Sequence, residues 1–88
     1  MNLRDLQYLV ALADHRHFGR AAAASFVSQP TLSTQIRNLE EELGVRLLER
    51  KARGVVPTKA GERLLLTTRR LLTEMAEFKR DLRRRNFT

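Results

Sequence analysis

Apolar residues recur along most of this chain at three- and four-residue intervals, the spacing of amphipathic helices. Leu3, Leu6, Val10 and Ala13 predict a first helix, and Asn2 just before them is a favourable N-cap. The stretch "DHRH", Asp14 to His17, marks its exit. "FGRAAAAS" predicts a short second helix in which Phe18, Ala21 and Ala22 face a core, the small alanines admitting a close neighbour. Phe26 and Val27 supply apolar residues in a brief turn. Ser28 then caps a third helix with Leu32, Ile36, Leu39 and Leu43 on one face. Pro30 falls in its first turn, where the missing N–H has no intrahelical partner to lose, and Gly44 ends it.

Beyond Gly44 the period changes. Val45, Leu47 and Leu48 are expected on the core, and "ERK" and "VVP" predict two very short strands around Ala52, Arg53 and Gly54. Thr58 is the expected N-cap of a last helix running to about Arg85. Leu64, Thr68, Leu71, Met75, Phe78 and Leu82 follow a 4-3-4-3-4 spacing there, with Leu65 and Leu72 alongside. That is a seam of period close to 3.5, which asks for a partner helix. The near end of the stripe is expected to reach the first helix of the same chain. The far end projects past it, so a second subunit is expected on Leu64, Leu65, Thr68, Leu71, Leu72, Met75, Phe78 and Leu82.

The third helix opens oddly. Gln29, Pro30, Thr31, Ser33 and Thr34 occupy turns where a merely structural helix would carry Ala, Glu or Lys. With Leu32 pointing inward and about 100° per residue, Pro30, Thr34, Arg37 and Asn38 point outward and Thr31 and Ser33 flank them. Helices two and three have the spacing of a helix-turn-helix, in which the second helix lies in a DNA major groove with its N-terminal residues toward the bases. Gln29 suits adenine, Ser and Thr hydroxyls suit several bases, and the Pro30 ring and Thr31 methyl suit a thymine methyl. Glu40, Glu41 and Glu42 would repel the duplex, so the reading end is the N-terminal half. Charge agrees: seventeen Lys and Arg against ten Asp and Glu leave a net +7 on 88 residues, which favours a polyanionic partner.

The joint pattern resembles a known family. "FGRAAAASFVSQPTLSTQIRNLEEELGVRLLER" followed by "VPTKAGERLL" is similar to the DNA-binding domain of LysR-type transcriptional regulators, over almost the whole chain. "RDLQYLVALADHRHFGRAA" with "SQPTLSTQIRNLEEELGV" is more narrowly similar to the peroxide-sensing subgroup. The resemblance implies a mainly α fold: a winged helix-turn-helix on residues 1–58, with three helices, a short two-stranded β wing and the helix-turn-helix at about 18–37. A linker and dimerisation helix on residues 59–88 would follow. An effector domain usual in the family is not among these residues, and the chain is expected to be a fragment. The resemblance also implies that Gln29, Pro30, Thr31 and Ser33 face the major groove, with Thr34 and Arg37 beside them. Arg53 would reach an A·T-rich minor groove, and Arg20, Ser28, Arg50, Lys51 and Lys59 would meet phosphates. Many members carry arginine where this chain has Thr34, a departure that leaves more of the recognition to shape. The implied partners are double-stranded DNA with an inverted-repeat operator and a second copy of the chain. A tetramer in the full-length protein and RNA polymerase are further candidates.

Other classes fare worse. An RNA-binding helical module shares the charge, but usually offers exposed aromatics, and the five aromatics here mostly sit at core-like spacings. No nucleophile–base set, phosphate loop or paired carboxylate argues for an enzyme. His15 and His17, without cysteine or a nearby set of carboxylates, make a poor metal site, so no metal or cofactor is expected. Those histidines are expected to cap the first helix or approach a phosphate. No stretch looks like a signal peptide or membrane span, and the expected location is the cytoplasm.

Overall fold

Asn2 starts the first helix as its sequence position suggests. In the computed structural model, which describes residues 1–84, the Asn2 side chain accepts the Asp5 N–H at 2.9 Å, and the Asp5 carboxylate accepts the Asn2 N–H at 3.3 Å. This reciprocal cap satisfies two amide donors that helical bonding leaves unpaired. Helix α1, Leu3–His15, ends at Arg16 in a left-handed conformation with φ 55°. Its buried residues are Leu6, Tyr8, Leu9 and Leu12. Of the face expected from spacing, only Leu6 is buried; Leu3, Val10 and Ala13 are half-buried. The cause is that α1 is central, packing on every other helix and on the wing, so its core face is wider and turned from the one expected.

Helix α2, Phe18–Ala24, is capped by His17, whose Nδ1 accepts the Arg20 N–H at 3.1 Å. His17 thus caps the second helix, not the first. Phe18, Ala21 and Ala22 are buried as expected. The turn to helix α3, Gln29–Leu43, passes through Phe26 at φ 59°, which points its ring into solvent at 94% exposure. Ser28 caps α3 by accepting the Thr31 N–H at 3.2 Å, and donates its hydroxyl proton to Thr31 Oγ1 at 2.8 Å. Leu32, Ile36 and Leu39 are buried, but Leu43 in the last turn and Val45 after it are exposed, because the chain turns back at Gly44 before anything covers them.

Strands β1, Leu48–Lys51, and β2, Gly54–Pro57, pair antiparallel with Arg50 opposite Val55. The hairpin is within a residue of that expected, but Gly54 lies in β2 and leaves Ala52 and Arg53 as the turn. Glycine is required there for two reasons. Its φ is +129°, and a Cβ would collide with the Arg16 carbonyl oxygen. The next residue, Val55, donates its N–H to that same oxygen at 3.1 Å, so the wing is tied to the end of α1.

Helix α4, Lys59–Arg84, begins on the loop before β1. The Thr58 hydroxyl accepts the Gly61 N–H at 3.1 Å and donates to the Arg46 carbonyl at 2.6 Å, while the Thr58 N–H donates to the Leu47 carbonyl at 3.0 Å. A Cβ on Gly61 would strike that Leu47 carbonyl. The stretch "TKAG", Thr58 to Gly61, is therefore a cap, a tether and a close approach in four residues. At 26 residues α4 is about 39 Å long. It outruns a core held by the other elements, and the molecule measures 52 × 25 × 21 Å. Arg85, the expected end of this helix, lies outside the described residues.

Candidate nucleic-acid interface

Helix α3 leans on the core through Leu32, Ile36 and Leu39, which fixes what its other face can do. Gln29, Pro30, Thr31, Thr34 and Arg37 are exposed and Ser33 is half-buried. Every residue expected to read a groove is thus accessible, on the first turns of a helix whose register is set by its buried side. Ser28 is exposed too, but its hydroxyl is engaged in capping; it fixes the start of α3 and presents Thr31.

Two clefts join this face to the wing. In one, Gln29 of α3 shares the walls with His17 and Gly19 of the α2 start and with Arg50 and Lys51 of β1. In the other, Ser33 and Arg37 of α3 face Arg46 and Arg50. Arg50 lines both, with its guanidinium carbon 4.3 Å from the centroid of the Phe18 ring. The fold therefore gathers Gln29, Ser33, Arg37, Arg50 and Lys51 along one seam. Lys51 makes an exposed ion pair with Glu49 at 3.2 Å. Such a pair contributes about 0–1 kcal/mol, so exchanging it for a phosphate costs little. Arg20, Arg53 and Lys59 are exposed and make no ion pair among the described residues, but they line neither cleft.

Two acidic residues at the far end of α3 do something the sequence did not disclose. Glu40 is turned onto the wing, where its Oε2 accepts the N–H groups of Leu47 and Leu48. Glu42 is paired with the chain's amino terminus. Of the "EEE" run, only Glu41 lacks a hydrogen bond or ion pair among the described residues. The signal for Glu40 was present in its spacing from "VRLL", but nothing local says the chain returns there.

The expected dimer seam divides. Leu65 is buried at 7% exposure and Thr68 at 0%, both within the chain's own fold, and Leu64 packs partly against the same core. This corrects the assignment of Leu65 and Thr68 to a partner surface: α1 lies against the near half of α4, tied also by the Arg69–Asp14 ion pair at 2.8 Å. Among the described residues the Thr68 hydroxyl has no hydrogen-bond partner. Leu71, Met75, Phe78 and Leu82 are exposed, Leu72 is half-buried, and Leu66, off the expected row, is exposed as well. Phe26 and Phe78 are both exposed, so the expectation that the aromatics belong mostly to the core holds only for Tyr8 and Phe18 among the described residues.

Known proteins are similar to this chain in sequence and in fold. The hydrogen peroxide-inducible genes activator of Pectobacterium carotovorum subsp. carotovorum is 61% identical over 79 residues, which is 90% of this chain and 26% of that protein. The DNA-binding transcriptional dual regulator OxyR of Escherichia coli K12 matches at the same identity and coverage. The chain thus spans about a quarter of the length of these curated relatives. A crystal structure of a BenM_DBD/benA site 1 DNA complex superposes with a TM-score of 0.89 at 40% identity, over 96% of this chain and 94% of that one. Residues 3–62 match the model for bacterial regulatory helix-turn-helix proteins of the lysR family. With that match across most of its length and a winged helix-turn-helix to carry it, the chain belongs to the LysR family of transcriptional regulators as a DNA-binding domain.

Proposed function

We propose that this chain recognises an inverted-repeat site in duplex DNA, as a homodimer joined along α4, with one α3 in each of two successive major grooves. Residues 1–58 act as the reading unit and α4, Lys59–Arg84, as the helix that sets its spacing. The observation that carries the proposal is the accessible Gln29–Thr34 edge of α3 lying beside the cationic strand β1. Gln29, Pro30, Thr31, Ser33, Thr34 and Arg37 supply base-edge and groove contacts. Arg53, at the turn of the wing, enters an A·T-rich minor groove, where a narrow groove concentrates negative potential. Arg20, Arg50, Lys51 and Lys59 hold phosphates, with the amide end of α3 adding its own positive field.

The dimer is supported by the exposed apolar row on α4. Leu71, Met75, Phe78 and Leu82 recur at the period of a two-helix seam, beyond the part of α4 that its own core covers. Symmetry in the protein then demands symmetry in the operator. The whole protein's role follows the relatives: regulation of transcription in the bacterial cytoplasm, in response to peroxide. Among the described residues no helix is long and apolar enough to cross a membrane.

A gel-shift panel of duplex DNA, structured RNA and single strands tests this reading. Duplex with an inverted repeat should bind tightest, with affinity falling steeply as salt rises. Equal binding to all three would remove the proposal and favour a general nucleic-acid module, for which the exposed Phe26 ring would serve as a stacking surface.

A further inference from the structure

Phe18 has the profile of a core residue, 9% exposed and packed with α1, α3 and the wing. Its ring also has a face turned to Arg50, a residue of β1, at 4.3 Å. We propose that Phe18 is a positioning residue for DNA binding: its ring orients the Arg50 guanidinium so that it grips a backbone phosphate at the junction of α3 and the wing. This inference rests on the duplex-DNA reading above.

Three observations converge on it. Arg50 lines both clefts between α3 and the wing, one with Gln29 and the other with Ser33 and Arg37. No ion among the described residues pairs with it, whereas its neighbour Lys51 is paired with Glu49. Its strand is anchored from behind, since Val55 opposite it is 4% exposed and bonded to Arg16. A guanidinium stacked on an aromatic face keeps its edge N–H groups free, and those edges are what bind phosphate bidentately. An unstacked arginine would have to surrender its rotamer freedom when the phosphate arrives. Stacking removes that freedom beforehand. A purely structural Phe18 would need only volume, which leucine largely provides.

The test is a double-mutant cycle on the whole chain with a specific and a nonspecific duplex. The four proteins are the parent, Phe18→Leu, Arg50→Ala and the double variant, each checked for helix content and melting. Phe18→Leu should weaken both duplexes by a similar factor, about three- to tenfold, with the salt dependence unchanged because the phosphate contact still forms. Arg50→Ala should weaken binding further and lower the salt slope by about one. In the Arg50→Ala background, Phe18→Leu should cost nothing more. Equal losses from Phe18→Leu in both backgrounds would overturn the positioning role while leaving the DNA reading intact. A parent protein with no affinity for duplex would overturn both. Phe18→Met, which fills the same space flexibly, gives the same readout if the leucine variant does not fold.

Discussion

Glu40 Oε2 accepts the Leu47 N–H at 2.7 Å and the Leu48 N–H at 3.3 Å, so one carboxylate near the end of α3 holds the entry to the wing. Because α3 and β1 together flank both clefts, this bond sets the spacing of the two elements proposed to touch DNA. Removing the carboxylate strands two partly buried amide donors. Glu40→Ala is expected to cost about 1–3 kcal/mol, and Glu40→Gln less, since one acceptor oxygen remains. Urea denaturation of both variants checks the order.

The junction of β1, Leu47 and α4 is equally constrained. Gly61→Ala puts a methyl group into the Leu47 carbonyl and should destabilise by about 1–3 kcal/mol. Thr58→Ala, which loses the cap and the bond to Arg46, should cost about 0.5–2 kcal/mol. The two act on one junction, so the double variant should lose less than the sum. Thermal melts of the three proteins test this.

On the proposed DNA face, Gln29→Ala should cost about 1–3 kcal/mol at a matched site and relax preference at one base pair. Arg53→Ala should instead reduce discrimination in the A·T-rich flank. Competition binding against single-base-pair variants separates the two effects. Unchanged preferences in both proteins would count against these assignments.

Along α4 the two halves of the apolar row should behave differently. Leu71→Asp places a charge on the exposed half and should yield monomers by sedimentation with helix content kept. Leu65→Asp places the charge in the chain's own core, where an unpaired carboxylate is costly, and should melt the domain. A Leu71→Asp protein that remains dimeric would refute the proposed seam.

What could be read in advance was what is local. Asn2, Ser28, Gly44 and Thr58 mark helix ends through bonds to residues within four positions, and each was legible from type and spacing. The same holds for the paired strands, whose extents follow from short apolar runs around a turn. The rest depends on what arrives from elsewhere in the chain. Leu43 and Val45 look like core until the chain turns away from them, and Thr68 looks like a partner surface until α1 lies across it. The reasons for Gly54 and Gly61 are the Arg16 and Leu47 carbonyls, which no pattern around either glycine reveals. Resemblance marks Arg50 as a candidate phosphate ligand, but its seat on Phe18 was not legible, because the two meet only when the wing folds onto α2.

Selection of binding sites from a random duplex pool most directly tests whether α3 reads bases from a twofold-symmetric dimer. The account predicts recovery of two half-sites in inverted orientation at a fixed separation, each weakened by Gln29→Ala. A pool that returns no common sequence, or a single unrepeated element bound by a monomer, would contradict it.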